Sequence, residues 1–201
     1  IPNSCNEVRG EWGLGDDFVV GYSGNLGRAH DVSTIIVTME KLQFVKNIKF
    51  LFIGGGVGLD KIKKYAQENS LYNVIFKPYQ YRKRLGLSLN CADVHWVTLD
   101  PKMEGFIVPS KFYGILATAR PVIFIGDENG ELAQDIRRIG CGESVSIGDA
   151  DKLTSLITLY SERSDTVAHL GNLGRKEFNR SYDFPIASRR FQKLFNDFEI
   201  L

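Results

Sequence analysis

Three loops in this chain carry residue types that suit an anionic ligand. The richest is Met103-Glu104-Gly105-Phe106-Ile107-Val108-Pro109-Ser110-Lys111-Phe112-Tyr113-Gly114. A carboxylate, Glu104, sits in a stretch made pliable by Gly105. Pro109 suits the first position of a helix, which would put Ser110 and Lys111 in its first turn. Free backbone N–H groups, a hydroxyl and an ammonium would then converge on one point, which is suited to a diphosphate. The plain alternative is a surface acid and a solvated lysine.

The second loop is Gly21-Tyr22-Ser23-Gly24-Asn25-Leu26-Gly27-Arg28-Ala29-His30-Asp31. Its glycines recur every three residues, so backbone can approach a ligand closely. Gly24 and Asn25 lie at the turn. Arg28 and His30 come just before an expected helix start, which favours anions. A tight turn with a solvated arginine explains the stretch equally well. The spacing is not G-x-G-x-x-G, so the dinucleotide fingerprint is absent. The third loop, Gly54-Gly55-Gly56-Val57-Gly58, looks like a phosphate loop. It lacks a closing Lys-Ser/Thr pair and is better read as a structural turn that passes near a base or ribose.

Other candidates have simpler explanations. Asp149-Ala150-Asp151 has D-x-D spacing but precedes an expected helix, where capping and the helix dipole account for it. His95 falls inside an apolar run and reads as a core or sheet-face residue, and His169 as a surface residue. Cys5, Cys91 and Cys141 are too far apart for a metal pair or a disulfide framework. No metal site is expected. No Ser–His–Asp arrangement stands out.

The elements that must hold these loops alternate. Short apolar, β-branched runs at Phe18–Tyr22, Ile48–Ile53, Val74–Lys77, Asp93–Leu99, Pro121–Ile125 and Glu143–Ile147 read as strands. Between them, helices are expected over Asp31–Val45 with Asp31 as cap, Leu59–Asn69, Arg82–Cys91, from about Pro109, and over Glu131–Ile139 up to Gly140. The rest, Asp149–Leu201, reads helical. This alternation predicts an α/β fold, a Rossmann-like parallel sheet of about six strands with helices on both faces. Ligands bind such sheets beyond the carboxyl ends of the strands, where the three loops lie.

Composition narrows the function. Twenty-five basic residues against 24 acidic ones give a net charge of +1, and no basic block marks a nucleic-acid binder. No apolar run approaches the roughly 20 residues of a membrane span. The start, IPNSCNEVRGEW, lacks a basic head followed by an apolar stretch, so no signal peptide is expected there. It begins with Ile1, as a fragment would. The three widely spaced thiols read as reduced and cytoplasmic.

The stretches YSGNLGRAHD, FLFIGGG, NVIFKPYQ, ADVHWVTL, EGFIVPSKFYGILATARPVIFIGD and IGCGESVSIGDADKL occur in this order. Together they resemble the C-terminal domain of GT-B glycosyltransferases of group 1 (family 4), in the branch that makes bacterial surface polysaccharides such as lipopolysaccharide. The resemblance covers roughly Phe18 to Tyr160. It implies a two-half enzyme with the acceptor site in an absent first half and a nucleotide-diphosphate sugar as donor substrate in this one. Residues 1–17 would connect the halves, 18–184 would be the nucleotide-sugar domain, and 185–201 a helix returning to the acceptor half. That last segment places Phe191, Leu194, Phe195 and Phe198 on one apolar stripe, which packing on this same domain would explain as well.

In the family's E-x7-E motif the first Glu meets the transferred sugar, and Glu104 matches it, with Gly105 and Phe106 beside it. The second, which holds the ribose, falls on Gly114 or on Phe112, and neither is a carboxylate. The family's arginine after the glycine turn falls on Asn25, so Arg28, His30 and Lys111 are substitutes by position. The implied reaction is metal-independent, retaining transfer without a cofactor. The acceptor is a growing cell-surface glycan or a lipid-linked one, and the full-length protein associates peripherally with the inner membrane. The isolated half should fold, bind donor nucleotide weakly and transfer nothing. Two alternatives remain open: a nucleotide-binding module without catalysis, separated by acceptor turnover, and a nucleotide-sugar epimerase of the same fold, separated by products from donor alone.

Overall fold

The apolar runs pair side by side as expected. The computed structural model describes residues 6–198. Its strands are β1 (Phe18–Asn25), β2 (Ile48–Gly55), β3 (Val74–Lys77), β4 (Val94–Thr98), β5 (Val122–Gly126) and β6 (Gly142–Ser146). They form one sheet in the order β3-β2-β1-β4-β5-β6, with every neighbouring pair parallel. The chain builds outward from β1 to β3, then returns to the other side of β1 for β4. The loops after β1 and β4 therefore diverge at the reversal, which is where such sheets open a crevice.

Alternate side chains of each strand go to opposite faces. Val20, Tyr22, Phe50, Phe52 and Trp96 face α2 (Ser33–Lys41), α3 (Val57–Glu68) and α7 (Ala150–Glu162), through Ile35, Met39, Leu59, Ile62, Leu153 and Ile157. On the other face, Val97, Leu99, Val122 and Phe124 pack with α5 (Lys111–Ala117) and α6 (Glu131–Ile139). Beside them Val19, Leu51 and Ile53 meet α1 (Glu7–Glu11) through Val8.

The helix over Arg82–Cys91 is shorter than expected. A 3-10 turn, Arg82–Arg84, leads into α4 (Leu85–Leu89), because the basic run buries no apolar face. The tail is helical through α7, α8 (Ser164–Glu177), a π turn over Phe178–Tyr182, and α9 (Phe184–Phe198). The cap position of α2 is Val32, one residue later than expected, yet the Asp31 carboxylate still accepts the first N–H groups of the helix, from Ser33 and Thr34. Asp149 likewise accepts Lys152 N–H at 2.9 Å, and Asp151 pairs with Lys41 at 2.8 Å, so both carboxylates of the D-x-D are engaged within the fold. His169 is exposed.

Residues 6–17, read as part of a connection, pack on the amino edge of the sheet. Val8 and Leu14 are fully buried. Arg9, also buried, donates to Gly15 O at 2.8 Å and Cys91 O at 2.6 Å, and its guanidinium lies 3.4 Å from Asp93. Ile1 to Cys5 fall outside the described residues. At the other end Phe191, Leu194 and Phe195 stand exposed on α9. They do not pack on this domain, and the side chain of Phe198 lies outside what is described.

Close backbone approach makes one position in the sheet unforgiving. A β-carbon at Gly142 would lie 1.8 Å from the Val122 carbonyl oxygen across the β5–β6 ladder. Gly142→Ala should therefore cost about 2 kcal/mol or more, the scale of overpacking, read as a lower urea midpoint at unchanged slope. An unmoved midpoint would mean that β6 yields freely.

Candidate functional site

Lys111 is the centre of the site. It opens α5, after Pro109 has closed a preceding turn by accepting Phe112 N–H at 2.9 Å. The helix thus starts two residues later than the proline suggested. Ser110 takes the cap position, exposed and making no side-chain cap bond. The Lys111 ammonium stands 5.4 Å from the centre of the Tyr22 ring, a cation–π shelf. Tyr22 is buried and donates its hydroxyl to Asn25 O at 2.8 Å. Gly24, with φ of 132°, leaves room for the lysine stem, since a β-carbon there would lie 2.6 Å from Lys111 Cε. Two glycine-flanked loops distant in sequence thus meet around one cation.

His30 completes the cluster. Its ring stands edge-on to Tyr22 with centroids 6.4 Å apart, and its buried Nδ1 has no hydrogen-bond partner. Burial, and then the nearby Lys111 ammonium, hold its pKa below the ordinary histidine value, so the ring is neutral at pH 7. Burial also lowers the Lys111 pKa. No carboxylate pairs with Lys111 among the described residues. The loop carrying His30 is fastened to the end of β4: Asp31 N–H donates to Thr98 Oγ1 at 3.1 Å, and Asp100 N–H to Ala29 O at 2.8 Å.

Lys111 and Ser110 lie in the wall shared by two cavities. One, of about 220 Å³, reaches Ser23, Leu85, Leu89, Gly114 and Ile115. The other, of about 140 Å³, reaches Tyr22, His30, Thr98 and Ile107. His95 is buried and also lines the first, with Nε2 2.8 Å from Leu89 O. Burial lowers its pKa to about 4, so it is neutral there.

The other expected residues are placed differently. Glu104 lines a third, small space with Tyr113, Glu131 and Asp135. Its Oε1 is buried without a partner, against Gly130, where an added β-carbon would approach it to 2.4 Å. Ile107, Val108 and Pro109 border both this space and the His30 cavity, so they stand between Glu104 and Lys111. Gly105 and Phe106 are exposed on that loop. Arg28 is exposed and lines neither of the two cavities at Lys111. Asn25, exposed at the end of β1, is turned toward the glycine loop: a β-carbon on Gly56 would meet Asn25 Oδ1 at 2.4 Å and Leu26 O at 2.6 Å. Gly54–Gly58 therefore serves packing, as its sequence suggested. Tyr22, Ser23, Leu85 and Leu89 carried no sequence signal of their own, because apolar or small residues at strand and helix ends look like core.

No family model matches the chain. It is similar to the probable glycosyltransferase WbjE of Pseudomonas aeruginosa, with 31% identity over 180 residues, covering 86% of this chain and 42% of that protein. It is also similar to the putative colanic acid biosynthesis glycosyl transferase WcaI of Escherichia coli, with 29% identity over 58% of this chain and 28% of that protein. The chain thus spans less than half the length of these curated relatives. Among solved structures, Anabaena HepE in complex with UDP-glucose superposes with a TM-score of 0.80 at 14% identity, over 98% of this chain and 53% of that one. The C-terminal domain of a group 1 family glycosyl transferase, LpcC of Francisella tularensis, superposes with a TM-score of 0.69 at 13% identity, over 92% of this chain and 99% of that one. At these identities the solved structures share the fold alone.

Proposed function

We propose, from the premise that this chain is a GT-B domain of the group 1 kind, that it is the donor half of a glycosyltransferase and binds a nucleotide-diphosphate sugar at Lys111. One observation supports this most: a half-buried, unpaired ammonium in the wall between two cavities, beyond the carboxyl ends of β1 and β4. A diphosphate fits there with its nucleoside on the Leu85–Ile115 side and its sugar on the His30 side. In the transfer, the bond from the anomeric carbon to the diphosphate oxygen breaks and the acceptor oxygen takes its place. The diphosphate leaves with the electron pair, and the acceptor's proton passes to that leaving oxygen or to water. The leaving group gains negative charge, which a preorganised cation stabilises best when little water competes. A neutral His30 adds no second positive charge to be desolvated.

The reading extends to the whole protein. The missing half supplies the acceptor site, a growing cell-surface glycan or a lipid-linked precursor, and the halves must close for reaction. Transfer is retaining, and the protein is cytoplasmic, peripheral at the inner membrane face. No helix among the described residues is long and apolar enough to cross a membrane. Calorimetric titration of the chain with nucleoside diphosphates tests the site: weak binding is expected, and a cooperatively folded chain blind to all of them would sink the assignment. Transfer should also survive chelation. Asp149 and Asp151 are engaged in capping and an ion pair, and no group of three ligating side chains is present among the described residues. Activity that disappears with EDTA and returns with magnesium or manganese would reverse this part.

A further inference from the structure

We infer that the nucleoside cavity beside Lys111 does not select ribose over 2′-deoxyribose, so that ribo- and 2′-deoxyribonucleoside diphosphate sugars are both donors for this domain. This rests on the donor reading above. Selecting a sugar hydroxyl requires a group that is left buried and unpaired when the hydroxyl is missing, typically a carboxylate accepting from the ribose. Among the described residues no Asp, Glu, Asn or Gln lines this cavity. Its apolar wall is Leu85, Leu89 and Ile115, with Trp96 at its border. The unpartnered Trp96 indole N–H is fully buried, and its ring packs on Phe50 and Phe52 in the core on the opposite face of the sheet, so it does not meet a ligand in this cavity. The cavity's imidazole, on His95, is already within 2.8 Å of Leu89 O. Its hydroxyls belong to Ser110, which is exposed, and Ser23, which is half-buried. Such hydroxyls rotate to meet water when a ligand group is absent, so a deoxy sugar strands nothing.

Gly114 is the residue on which this depends. It lines the cavity three positions after Lys111 on α5, the spacing at which helical side chains meet. A β-carbon there would find only Leu89 Cδ1, at 3.9 Å, so the site has room for a side chain and carries none. A carboxylate at 114 would accept the ribose hydroxyls and would also pair with the Lys111 ammonium. Glycine leaves the sugar wall neutral and the cation available to the diphosphate.

The test is calorimetric titration of the 201-residue chain with matched pairs: UDP and 2′-deoxy-UDP, GDP and 2′-deoxy-GDP, ADP and 2′-deoxy-ADP. Within the pair whose base is accepted, affinities should agree within about tenfold, the reach of one neutral hydrogen bond. Gly114→Ala should leave the ratio unchanged. Gly114→Glu should weaken the deoxy member and raise the ratio to on the order of 100-fold, the reach of a hydrogen bond to a charged group. A wild-type preference for the ribo form of that size would overturn the inference, as would a cooperatively melting Gly114→Glu chain with an unchanged ratio. If no member of any pair binds, the donor reading itself falls, which is a different result from strong ribose selection.

Discussion

Lys111→Ala should lower kcat/KM of the complete transferase on the order of 100-fold or more, the cost of removing one preorganised group at a developing charge. The same change should weaken nucleoside diphosphate far more than nucleoside, because only the diphosphate carries the charge that Lys111 meets. The fold should not suffer. Burial lowers the Lys111 pKa, so at neutral pH, where lysine is protonated folded and unfolded alike, the buried charge works against folding. That cost fades as pH rises through the lowered value. Lys111→Met, which keeps the stem over Tyr22 without the charge, should therefore melt at the wild-type temperature or higher while losing activity like alanine. Stability gained where function is lost is the expected pattern for a residue held in place for its ligand. Equal weakening of nucleoside and diphosphate, or a melting temperature that drops with activity, would make Lys111 a structural residue.

Much of this was readable from residue types, and the unread part has a common cause. Strands β2, β4 and β5 are buried on both faces and so appear as continuous apolar runs. Strand β1 runs on to Asn25 because Gly24 and Asn25 pair with Gly54 and Gly55, and glycine pairs carry no apolar signal. The position of Lys111 after β4 was legible because a charged residue at a ligand edge is visible in sequence. The Tyr22 shelf was not, since its value lies in a ring 89 positions away in the chain. Nor was the wall of Ile107, Val108 and Pro109, which puts Glu104 and Lys111 in separate spaces. Periodicity reports which face a residue takes, whereas a cavity boundary depends on which loops meet, and that is settled only by packing.

Glu104→Gln is the sharper test of how the two loops act together. The complete enzyme should lose on the order of 100-fold in rate, by analogy with loss of one polar contact made in the transition state. Folding should be unaffected. Glu104 Oε1 has no hydrogen-bond partner to lose, and an amide of the same shape takes its place on the loop. The geometry makes the rate effect informative beyond Glu104 itself. A sugar over Lys111 meets Glu104 only if Ile107, Val108 and Pro109 give way, because they border both spaces. Val108 is largely exposed, at 69%, and Gly105 with φ of 77° precedes the segment, so little packing resists a shift. A large rate loss at unchanged melting temperature would therefore report that this wall moves when donor binds, and hydrogen exchange over residues 104–110 should then slow with nucleotide sugar but not with nucleoside diphosphate alone. A near-normal rate would remove Glu104 from the site and leave Lys111, Tyr22 and His30 as the part of this half that meets the donor.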